Sequence, residues 1–488
     1  MTPRLTQLVK RDLGVDPEIT GVTADSRKVR PGYLFAALPG SKADGATFAA
    51  KAVAAGAVAV IAEQDLNLAV PTVVCRDPRR GYALASANFW GRQPPICVAV
   101  TGTNGKTSVA NFCRQVFASA GHVSASMGTL GVTVSRPGGG VEQITPPGLT
   151  TPDAGDIAEL LTRIAQLGVT HFAMEASSHG IDQRRLDGVR LTAAGFLNLT
   201  QDHLDYHGTM DAYLGAKLRL FEQLMPRGAT AVLNADSEAF PFFAAASVVS
   251  GQRVMSVGET GQALKLTERT LAPEGQLLKV RADGQLYDVR LPLAGAFQAS
   301  NALVAAGLCR AAGLSWESVF AGLEQLQGAP GRLQRVGEGP RGGEAYVDYA
   351  HTPDGLQTVL SALRPHVRGR LIVVFGAGGD RDKTKRPLMG AVAAQLADVA
   401  FVTDDNPRSE PPASIRAEVL AGMERPTAKV REIGDRREAI RAAVAQLADG
   451  DILVVAGKGH EQGQIVGGVV HPFDDVQETA QALDMVHG

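Results

Sequence analysis

Short runs of apolar, largely β-branched residues recur along the chain, and several end in a glycine-containing loop. The clearest are VAVTGTNG, LIVVFGAGGD and ILVVAGKGH. Such a run predicts a strand buried on both faces, as in a parallel sheet covered by helices. In parallel sheets, ligands bind beyond the carboxyl ends of the strands. The pattern therefore predicts an α/β protein whose chemistry lies in these loops.

The apolar runs divide the chain into three predicted domains. Residues 1–93 contain the short strands GYLFAALPG, AVAVIAE and PTVVC, with an alanine-rich helix between the first two. Residues 94–328 begin with the strand ICVAV, and their Gly/Pro-rich stretch SRPGGGVEQITPPGLTTPD predicts an irregular loop. LQGAPGRLQRV has the composition of a hinge. Residues 329–488 then alternate the strands AYVDYA, RLIVVFG, VAFVT and DILVVAG with helices such as MGAVAAQLAD and RREAIRAAVAQLA, which predicts another parallel-sheet domain.

Composition and charge exclude several classes of protein. The chain has 488 residues, 45% hydrophobic and 20% charged, with a net charge of -2. This balance argues against nucleic acid as a partner. No apolar run approaches the ~18 residues of a membrane span, and no targeting signal is evident. The four cysteines have no C-x-x-C spacing, so neither a disulfide framework nor a zinc site is expected. We expect a cytoplasmic protein with no integral membrane segment.

The segment CVAVTGTNGKTSVAN is spaced like a phosphate loop but lacks one glycine. The usual spacing G-x-x-x-x-G-K-[ST] requires glycine at position 100, where Val100 stands. A helix that starts near Lys106 would still offer N–H groups and its dipole to an anion. Lys106 suits the β- and γ-phosphates, and the Thr107 hydroxyl suits Mg²⁺. The predicted ATP-binding residues of this loop are Gly102, Thr103, Asn104, Gly105, Lys106, Thr107 and Ser108.

TGTNGKT resembles the ATP loop of the Mur ligase superfamily, ATP-dependent amide-forming enzymes in which the shortened spacing is the rule. Similar motifs recur in order along nearly the whole chain, and they are closest to members that add meso-diaminopimelate. The resemblance implies an N-terminal uridine-nucleotide-binding α/β domain, a central P-loop ATPase-like domain and a C-terminal Rossmann-like domain. It implies that a monomer ligates meso-diaminopimelate to UDP-MurNAc-L-Ala-D-Glu through an acyl phosphate. ATP and Mg²⁺ would be the cofactors.

An ATP-dependent ligase needs Mg²⁺ ions and cations preset around the transferring phosphoryl group. Glu175 directly follows the apolar FAM and is the first candidate ligand. The resemblance assigns His203, in NLTQDHLDYHG, to a second Mg²⁺, while His179 and His207 are predicted to be structural. The predicted catalytic residues are Lys106, Glu175, His203 and Lys217. The predicted metal ligands are Thr107, Glu175, His203 and Lys217.

Lys217 is predicted to lie on the apolar face of a helix. That face recurs at helical spacing in Tyr213, Leu214, Lys217, Leu220, Phe221 and Leu224. The position is typical of a lysine stem at the edge of a core, but burial also lowers the pKa of an amine. A neutral amine can react with CO₂, and the resemblance implies that Lys217 is a carbamylated lysine, N6-carboxylysine, that binds Mg²⁺.

Three further residues are assigned to the nucleotide by resemblance. LPLAGAFQASNALVAA resembles the family segment Gly-x-Phe-Asn-x-x-Asn, but Gln298 replaces the first asparagine, so only Asn301 is assigned. Arg332 resembles the hinge arginine that reaches the phosphates on domain closure. Asp348, in VDYAHTPD, resembles the carboxylate that binds the ribose hydroxyls.

Three loops of the last domain are predicted to bind the acceptor amino acid. VTDDNPRSE, GDRDKTKRP and VAGKGHEQGQ each follow a strand, so they can converge at one sheet edge. The distal carboxylate that distinguishes meso-diaminopimelate from L-lysine suits the guanidinium fork of Arg408. Glu461 suits the distal ammonium group. By resemblance, the diaminopimelate-binding residues are Arg381, Asp405, Asn406, Pro407, Arg408, Gly457 and Glu461.

The nucleotide-sugar substrate is assigned to the first two domains. TADSRKV and GSKADG resemble uridine-binding stretches, although Lys42 departs from the commoner family pattern. LTTPD and the segment after Glu175 resemble the muramoyl-peptide positions. The predicted residues for UDP-MurNAc-dipeptide are Ser26, Ser41, Lys42, Ala43, Thr150, Thr151, Ser177, Gln183 and Arg185.

Three alternatives stay open from the sequence. Folylpolyglutamate synthase shares the loop and the chemistry but usually lacks a domain before the loop. A ligase that adds L-lysine or ornithine is the second alternative, and Arg408 argues against it. A nucleotide-binding scaffold without activity is the third, and it is disfavoured because Lys106, Glu175 and Lys217 are all present.

Overall fold

The computed structural model describes residues 2–40, 44–145, 148–272, 275–424 and 426–487. The predicted Ser41, Lys42 and Ala43 lie outside these ranges. Across the described ranges, no helix combines the length and the apolar character needed to cross a membrane. The chain forms two compact units, of which the first contains residues 1–266, 281–285 and 303–322. The second contains residues 267–280, 286–302 and 323–488.

The first unit begins with a small parallel sheet. Its strands are β1 (Gly21–Thr23), β2 (Tyr33–Ala36), β3 (Ala57–Ala62) and β4 (Thr72–Val74), in the order β1-β2-β3-β4. Its helices are α1 (Leu5–Val9), α2 (Ala49–Ala54) and α3 (Pro78–Trp90), with a 3₁₀ turn at Gly45–Phe48. Asp77 caps α3 by accepting a hydrogen bond from the Arg80 N–H, and Pro78 occupies the first turn. The three predicted strands and the alanine-rich helix are confirmed.

A larger sheet of 11 strands follows, and eight of its strands lie in the same unit, in the order β12-β11-β10-β5-β9-β6-β7-β8. Its strands are β5 (Ile96–Thr101), β6 (Ser124–Gly128), β7 (Gly131–Ser135), β8 (Val141–Thr145), β9 (His171–Glu175), β10 (Ala193–Phe196), β11 (Thr230–Asn234) and β12 (Arg253–Gly258). Its helices are α4 (Lys106–Ser119), α5 (Ala154–Gln166), α6 (Ser178–Asp182), α7 (Leu204–His207), α8 (Met210–Arg219) and α9 (Phe240–Val249). The five strands from β12 to β9 are parallel to their neighbours, so the loops after β5, β9 and β10 leave the same sheet edge.

Two local predictions differ from the structure. Val141–Thr145 was expected to be part of an irregular loop, but it forms β8, which pairs antiparallel with β7. Its β-branched residues and the preceding glycine turn explain this edge strand. The helix that contains Lys217 does not continue as an α-helix to Leu224, because a π-helical turn begins at Leu220 and ends at Leu224. Such turns recur at functional sites.

The second unit contains another mostly parallel sheet, in the order β16-β17-β21-β18-β19-β20. Its strands are β16 (Gln334–Glu338), β17 (Glu344–Asp348), β18 (Leu371–Phe375), β19 (Val399–Val402), β20 (Lys429–Glu432) and β21 (Ile452–Ala456). Its helices are α12 (Pro353–Leu363), α13 (Lys385–Leu396), α14 (Pro412–Ala421), α15 (Arg436–Val444) and α16 (Asp475–His487), with a 3₁₀ turn at Arg364–His366. Only β16 is antiparallel to its neighbour. The predicted strands AYVDYA, RLIVVFG, VAFVT and DILVVAG are confirmed as β17, β18, β19 and β21.

The remaining elements are three neighbouring strands, a two-stranded ribbon and two helices. β13 (Leu264–Ala272), β14 (Gly275–Ala282) and β15 (Gln285–Leu291) are neighbours in the order β15-β14-β13. β22 (Gly463–Val466) pairs antiparallel with β23 (Val469–Pro472). The helices are α10 (Ala296–Ala311) and α11 (Trp316–Leu323). The β22–β23 ribbon directly follows the third predicted acceptor loop.

Candidate active site

The phosphate-like loop joins β5 to α4 as predicted, and α4 begins at Lys106. Gly105 stands at the helix N-cap with a φ of 90°, a conformation that favours glycine. Thr107 and Ser108 are buried in the first turn of the helix. The start of a helix presents N–H groups and the positive end of the helix dipole, which can receive a phosphate. The missing glycine at Val100 leaves this geometry intact, because Val100 is a buried residue of β5.

Asn198, which follows β10, fixes the shape of this loop. Its Oδ1 accepts hydrogen bonds from the N–H groups of Thr103, at 3.1 Å, and Asn104, at 2.9 Å. Its Nδ2 donates to the Asn104 carbonyl at 3.2 Å. The amide thus bonds both the N–H and the carbonyl of Asn104 and holds the backbone of residues 103 and 104 in place. Sequence reasoning missed Asn198, although it lies five residues before His203 in a motif that was singled out.

Two lysines donate hydrogen bonds to the same carbonyl oxygen. Lys106 Nζ lies 2.9 Å and Lys217 Nζ 2.8 Å from the oxygen of Gly102, and Lys106 also donates to the Thr103 carbonyl. Lys217 is 1% exposed, which confirms that it lies on a buried helix face. Burial, followed by repulsion from Lys106, lowers the pKa of Lys217 well below its usual value. The neutral amine that carbamylation requires is therefore favoured at this position.

The elements around Lys217 position it closely. Its ammonium lies 4.5 Å from the centre of the Tyr213 ring, one helical turn earlier. The Tyr213 hydroxyl is 3.2 Å from Thr103 Oγ1, which links α8 to the phosphate-like loop. Arg219 bonds both oxygens of Asp187 and the Ile181 carbonyl, which ties the end of α8 to the segment after β9. Lys217 is thus held between the loop and the predicted muramoyl-peptide residues.

Glu175 and Thr107 lie together at the carboxyl ends of β9 and β5. Thr107 Oγ1 donates to Glu175 Oε1 at 2.9 Å, and the Thr129 N–H donates to the same oxygen at 3.0 Å. A Cβ at Gly128 would overlap the Glu175 carboxylate, so the absence of a side chain there is what admits it. A hydroxyl and a carboxylate at this distance are the hard oxygen donors that Mg²⁺ prefers.

His203 lies in a cluster of aromatic side chains on the same side of the site. Its ring is 4.9 Å from that of His179, and His179 in turn stacks near Tyr206 and His207. Burial lowers the pKa of His203, and Lys106 and Lys217 add to the effect, while Asp202 opposes it. The backbone of His203 has a φ of 55°, and the residue is the N-cap of the short helix that follows. A neutral imidazole is the form that binds a metal ion.

The donors present fit Mg²⁺ in the manner typical of nucleotide enzymes. Among the described residues, no three side chains of the types His, Cys, Asp and Glu converge to hold a metal by themselves. Mg²⁺ usually takes one or two protein carboxylates and completes its shell with water and substrate phosphates. Thr107 with Glu175 supplies such a partial shell, and a carbamate on Lys217 would supply another carboxylate-like group.

Four of the predicted muramoyl-peptide residues form one hydrogen-bonded group, and the fifth, Thr150, lies beside it. Thr151 Oγ1 donates to the Glu175 carbonyl and accepts from both the N–H and the hydroxyl of Ser177. Arg185 donates to the Thr151 carbonyl at 2.6 Å and to the Gln183 side chain at 2.7 Å. Thr150 Oγ1 lies 3.0 Å from Thr129 Oγ1, next to Glu175. Ser26 is half-buried in the turn after β1. The structure therefore brings together all of these residues except Ser26.

A cavity of about 220 Å³ opens beside this group. Gln183 and Arg185 line it, as predicted, together with residues that the sequence did not single out. The added lining residues are Leu38, Arg79, Tyr82, Leu149, Asp153 and Ala154. Tyr82 donates to Asp153 at 2.7 Å, so the first small sheet and the central sheet both contribute to the cavity.

The second unit holds the other three predicted nucleotide residues. Asn301, on α10, is 4% exposed and donates to Gln298, the residue that departs from the family pattern. Arg332 lies over the Tyr349 ring at 4.4 Å, and its Nε is buried with no hydrogen-bond partner among the described residues. Asp348 accepts the N–H groups of Leu333 and Ala350, both at 2.7 Å. Burial raises the pKa of Asp348. Its carboxylate therefore already shapes the hinge segment, and ribose binding would use its remaining lone pairs.

The first and third acceptor loops meet around Asn406, as predicted. Asn406 Nδ2 donates to Glu461 at 2.9 Å, and its Oδ1 accepts from Lys458 at 2.9 Å. Lys458 also lies 3.8 Å from Glu461 and 4.0 Å from Asp405. Burial, followed by the charge of Asp405, raises the pKa of Glu461. Sequence reasoning missed Lys458, although it lies inside the quoted GKGHE segment.

Gly457 leaves space for the Asp405 carboxylate. A Cβ at Gly457 would overlap Asp405 Oδ2, which is buried without a hydrogen-bond partner among the described residues. Close by, the fully buried Arg436 bonds Asp475 through two nitrogens and the Ala456 carbonyl through one. Its Nη1 also has no partner in the described chain. Asp405 Oδ2 is thus an acceptor and Arg436 Nη1 a donor that a bound ligand or water can satisfy.

Arg408 is held by the ribbon and by the second acceptor loop. Its N–H donates to Ile465, its carbonyl accepts from Gly467, and its side chain donates to the Gly379 carbonyl at 2.7 Å. The φ of Arg408 is 54°, so the backbone turns at this residue. Pro407 packs against Gly379, where a Cβ would not fit. Arg381 lies on the same loop and is exposed. The buried Arg386, which the sequence did not single out, braces this loop by bonding Glu410, Glu418 and the Gly378 carbonyl.

Comparison with known families gives three matches in chain order. They are "Mur ligase family, catalytic domain" over residues 18–87, "Mur ligase middle domain" over 100–309 and "Mur ligase, glutamate ligase domain" over 331–459. The three matches fall in the three predicted parts, which confirms the succession of three α/β domains. The boundaries at residues 93 and 328 stay predictions.

Individual relatives agree with these matches. A Caulobacter vibrioides protein called UDP-N-acetylmuramoyl-L-alanyl-D-glutamate–2,6-diaminopimelate ligase is 69% identical over 488 residues, which cover all of both chains. A solved structure with the same name superimposes with a TM-score of 0.75 and 35% identity, again over 100% of both chains. Folylpolyglutamate synthase of Mycobacterium tuberculosis, complexed with ADP and AMPPCP, gives a TM-score of 0.62 at 21% identity. It covers 78% of this chain and 92% of its own, and at this identity it shows a shared fold only.

Proposed function

This chain belongs to the Mur ligase family, and on that premise we propose that it ligates meso-2,6-diaminopimelate to UDP-MurNAc-L-Ala-D-Glu. It is an ATP-dependent ligase that forms an amide bond. The observation that carries the proposal is the 69% identity, over the full length of both chains, to a relative named for this reaction. The grouping of Asn406, Glu461 and Lys458 beside Arg408 supports the assignment of the acceptor.

The chemistry follows from the substrates. The γ-phosphoryl group of ATP passes to the γ-carboxylate of D-glutamate, which gives an acyl phosphate and ADP. An amine of diaminopimelate then attacks the acyl carbon, and phosphate leaves. The product is a UDP-MurNAc-tripeptide, a precursor of peptidoglycan. Because water would hydrolyse the acyl phosphate, domain closure around the reacting groups is expected.

The residues of the loop from Gly102 to Ser108 would bind the triphosphate. Lys106 would leave the carbonyls of Gly102 and Thr103 to contact the β- and γ-phosphates. Asn301, Arg332 and Asp348 would also contact the nucleotide. The buried, unsatisfied Nε of Arg332 supports its assignment to an anion.

Thr107, Glu175, His203 and a carbamylated Lys217 would hold Mg²⁺. Bound Mg²⁺ would neutralise the charge that develops on the transferring phosphoryl group. Lys217 would form the carbamate when its neutral amine attacks CO₂ and releases a proton, and its burial favours that neutral form. Tyr213 and the Arg219–Asp187 pair would keep Lys217 in place.

The first unit would bind the nucleotide-sugar peptide. The uridine end would contact Ser26 and the segment Ser41, Lys42 and Ala43. The muramoyl-peptide end would contact Thr150, Thr151, Ser177, Gln183 and Arg185. The hydrogen bonds that link the last four of these residues support a shared role.

The second unit would bind diaminopimelate. Arg381 would take one carboxylate, and Asn406 and Arg408 the distal one, with Asp405, Pro407 and Gly457 shaping the site. Glu461 would bind the distal ammonium group. We further propose that the protein acts in the cytoplasm, where its nucleotide substrates are made, and that it is a monomer with domain boundaries near residues 93 and 328.

A competition assay tests the reaction and the acceptor together. Purified protein receives ATP, Mg²⁺ and UDP-MurNAc-L-Ala-D-Glu with equal meso-diaminopimelate and L-lysine, and products are identified by mass spectrometry. Exclusive formation of the diaminopimelate tripeptide is expected. Equal addition of lysine would contradict the role of Arg408. No product with either amino acid would contradict the proposed reaction.

A further inference from the structure

The cavity beside Gln183 and Arg185 contains a second arginine with no assigned role. Arg79 lies in the first turn of α3 and lines the cavity from the side of the small N-terminal sheet. It is half-buried, and its Nη2 donates to the Pro39 carbonyl at 2.6 Å. The side chain is therefore fixed at the cavity wall by a neutral partner, with further N–H groups left for a ligand.

The cavity wall carries an excess of positive charge. Arg79 and Arg185 both line it, and each donates to main-chain carbonyl oxygens rather than to a carboxylate. Burial lowers the pKa of Arg185, the nearby Asp153 carboxylate opposes this effect, and the positive charge of Arg79 adds to it more weakly. Two guanidinium groups close enough to repel each other are stabilised when an anion lies between them.

Asp153, which also lines the cavity, offsets only one of the two positive charges. Asp153 Oδ1 accepts hydrogen bonds from the Tyr82 hydroxyl, at 2.7 Å, and from the Gly155 N–H, at 3.0 Å. These bonds direct the carboxylate to the start of α5, which it caps. Gly155 permits the approach, because a Cβ there would overlap the Tyr82 hydroxyl. Tyr82 and Asp153 thus form a hydrogen-bonded pair in the cavity lining, in addition to the two arginines.

The geometry points to Arg79 as a substrate-binding residue that, with Arg185, clasps one anionic group of the nucleotide-sugar peptide. The group is an oxyanion, either a phosphate of the diphosphate or a free carboxylate of the peptide. This inference rests on the proposed function for the identity of the substrate. It adds a contact from the N-terminal domain to the predicted muramoyl-peptide residues, all of which belong to the predicted central domain.

The test compares Arg79→Met with Arg79→Lys and with the control Arg76→Met. Arg76 is an exposed arginine three residues earlier that does not line the cavity. Calorimetry gives the Kd of UDP-MurNAc-L-Ala-D-Glu and of UDP, and steady-state kinetics give the KM for each substrate. Arg79→Met should weaken the dipeptide substrate by about 10- to 100-fold, the effect of losing one or two charge-assisted hydrogen bonds. Arg79→Lys should recover part of the affinity, and the KM for ATP should not change.

The UDP titration identifies the anion. An equal loss of affinity for UDP assigns Arg79 to the diphosphate, whereas unchanged UDP binding assigns it to a peptide carboxylate. Equal affinities of Arg79→Met and Arg76→Met for the dipeptide substrate would overturn the proposal. If Arg79→Met does not fold, the same comparison is made with Arg79→Lys, for which an affinity equal to that of the control would also overturn it.

Failure of the proposed function gives a different result. Wild-type protein that binds UDP-MurNAc-L-Ala-D-Glu without forming the tripeptide would contradict the proposed reaction. The affinities of Arg79→Met and Arg76→Met would still show whether Arg79 binds this substrate. Wild-type protein that does not bind this nucleotide sugar would overturn both.

Discussion

The phosphate-binding region and the acceptor-binding region distribute their charges in opposite ways. Around the loop, Lys106 and Lys217 donate to the carbonyl of Gly102, and Glu175 accepts from a hydroxyl and a main-chain N–H. Around the acceptor loops, cations meet carboxylates directly, as in the pairs Arg386–Glu410 and Arg436–Asp475. These charges of the first region are bonded to neutral dipoles, whereas those of the second region are bonded to each other.

The difference corresponds to the charges of the ligands. ATP with UDP-MurNAc-dipeptide brings a large negative charge, so the loop region gains its charge balance only when substrates and Mg²⁺ bind. Diaminopimelate carries both signs, so its site needs both signs at fixed separations. The first region should therefore be most sensitive to the loss of a charge, and the second to the loss of geometry. Four changes test this distinction.

Lys217→Met should have the largest effect. Turnover should fall by about 10³-fold or more, because a group that stabilises the transferring phosphoryl is lost, and added bicarbonate should not restore it. The fold should survive, since methionine replaces a buried amine without leaving a charge. Product formation and thermal unfolding measure the two effects. The control is Lys279→Met, an exposed lysine paired with Glu268. Near-normal turnover of Lys217→Met would contradict both the carbamate and the comparison.

Arg408→Lys should have the second-largest effect. It tests the geometry of the guanidinium group, because the positive charge is kept. The KM for diaminopimelate should rise by roughly 100-fold, since lysine lacks the fork that binds a carboxylate through two hydrogen bonds. The KM for ATP should stay within about twofold of wild type. Arg441→Lys, at an exposed position that pairs with Glu438, is the control. A parallel rise in the KM for ATP would show a general disturbance rather than a lost acceptor contact.

Asn198→Ala should have a smaller effect, confined to the nucleotide. The loop loses the amide that bonds both sides of the Asn104 peptide, so the KM for ATP should rise about tenfold, or 1–2 kcal/mol. The KM for diaminopimelate should not change. Steady-state kinetics with each substrate varied in turn measure both values. Asn88→Ala, which removes a bond to the Leu8 carbonyl elsewhere, is the matched control. If Asn198→Ala and Asn88→Ala behave alike, Asn198 does not shape the loop.

Glu461→Gln should give the smallest effect, seen in stability as a function of pH. Because the folded pKa of Glu461 is raised, the folded state keeps its proton at pH values where the unfolded state has lost it. Wild-type stability therefore declines as pH rises from about 4.5 through the folded pKa, and Glu461→Gln lacks this decline. A third of the side chain is exposed, so the difference should be only a few tenths of a kcal/mol. Chemical denaturation at pH 4 and pH 7 measures the free energy of unfolding of both proteins. A difference between wild type and Glu461→Gln that is larger at pH 4 than at pH 7 would contradict the raised pKa.

Features that depend on neighbouring residues in the chain were predictable. The strand before each glycine loop, the start of α4 at Lys106 and the burial of Lys217 all follow from local spacing. The comparisons confirm the family and the three-domain α/β fold class. The individual site residues stay predictions, although the structure brings together most of those assigned to each substrate.

Features that depend on distant pairing were not predictable. Asn198 reaches the loop because β10 lies beside β5, with Phe196 paired to Thr101, a register set by the whole sheet. Arg79 reaches the cavity of Arg185 across more than 100 positions of sequence. Arg436 and Asp475 form a fully buried ion pair although they are 39 residues apart, and neither lies in a motif. Such contacts come from packing, which a single sequence does not reveal.

The pairing of Arg408 with the β22–β23 ribbon bears on how acceptor specificity can evolve. The main chain of Arg408 is bonded on both sides to residues 465 and 467, so the ribbon fixes the backbone position from which the guanidinium extends. Insertions and deletions are tolerated best in exposed connections of this kind. A lineage could therefore change the amino acid it incorporates through a length variation in the ribbon, with the DNPR sequence left intact.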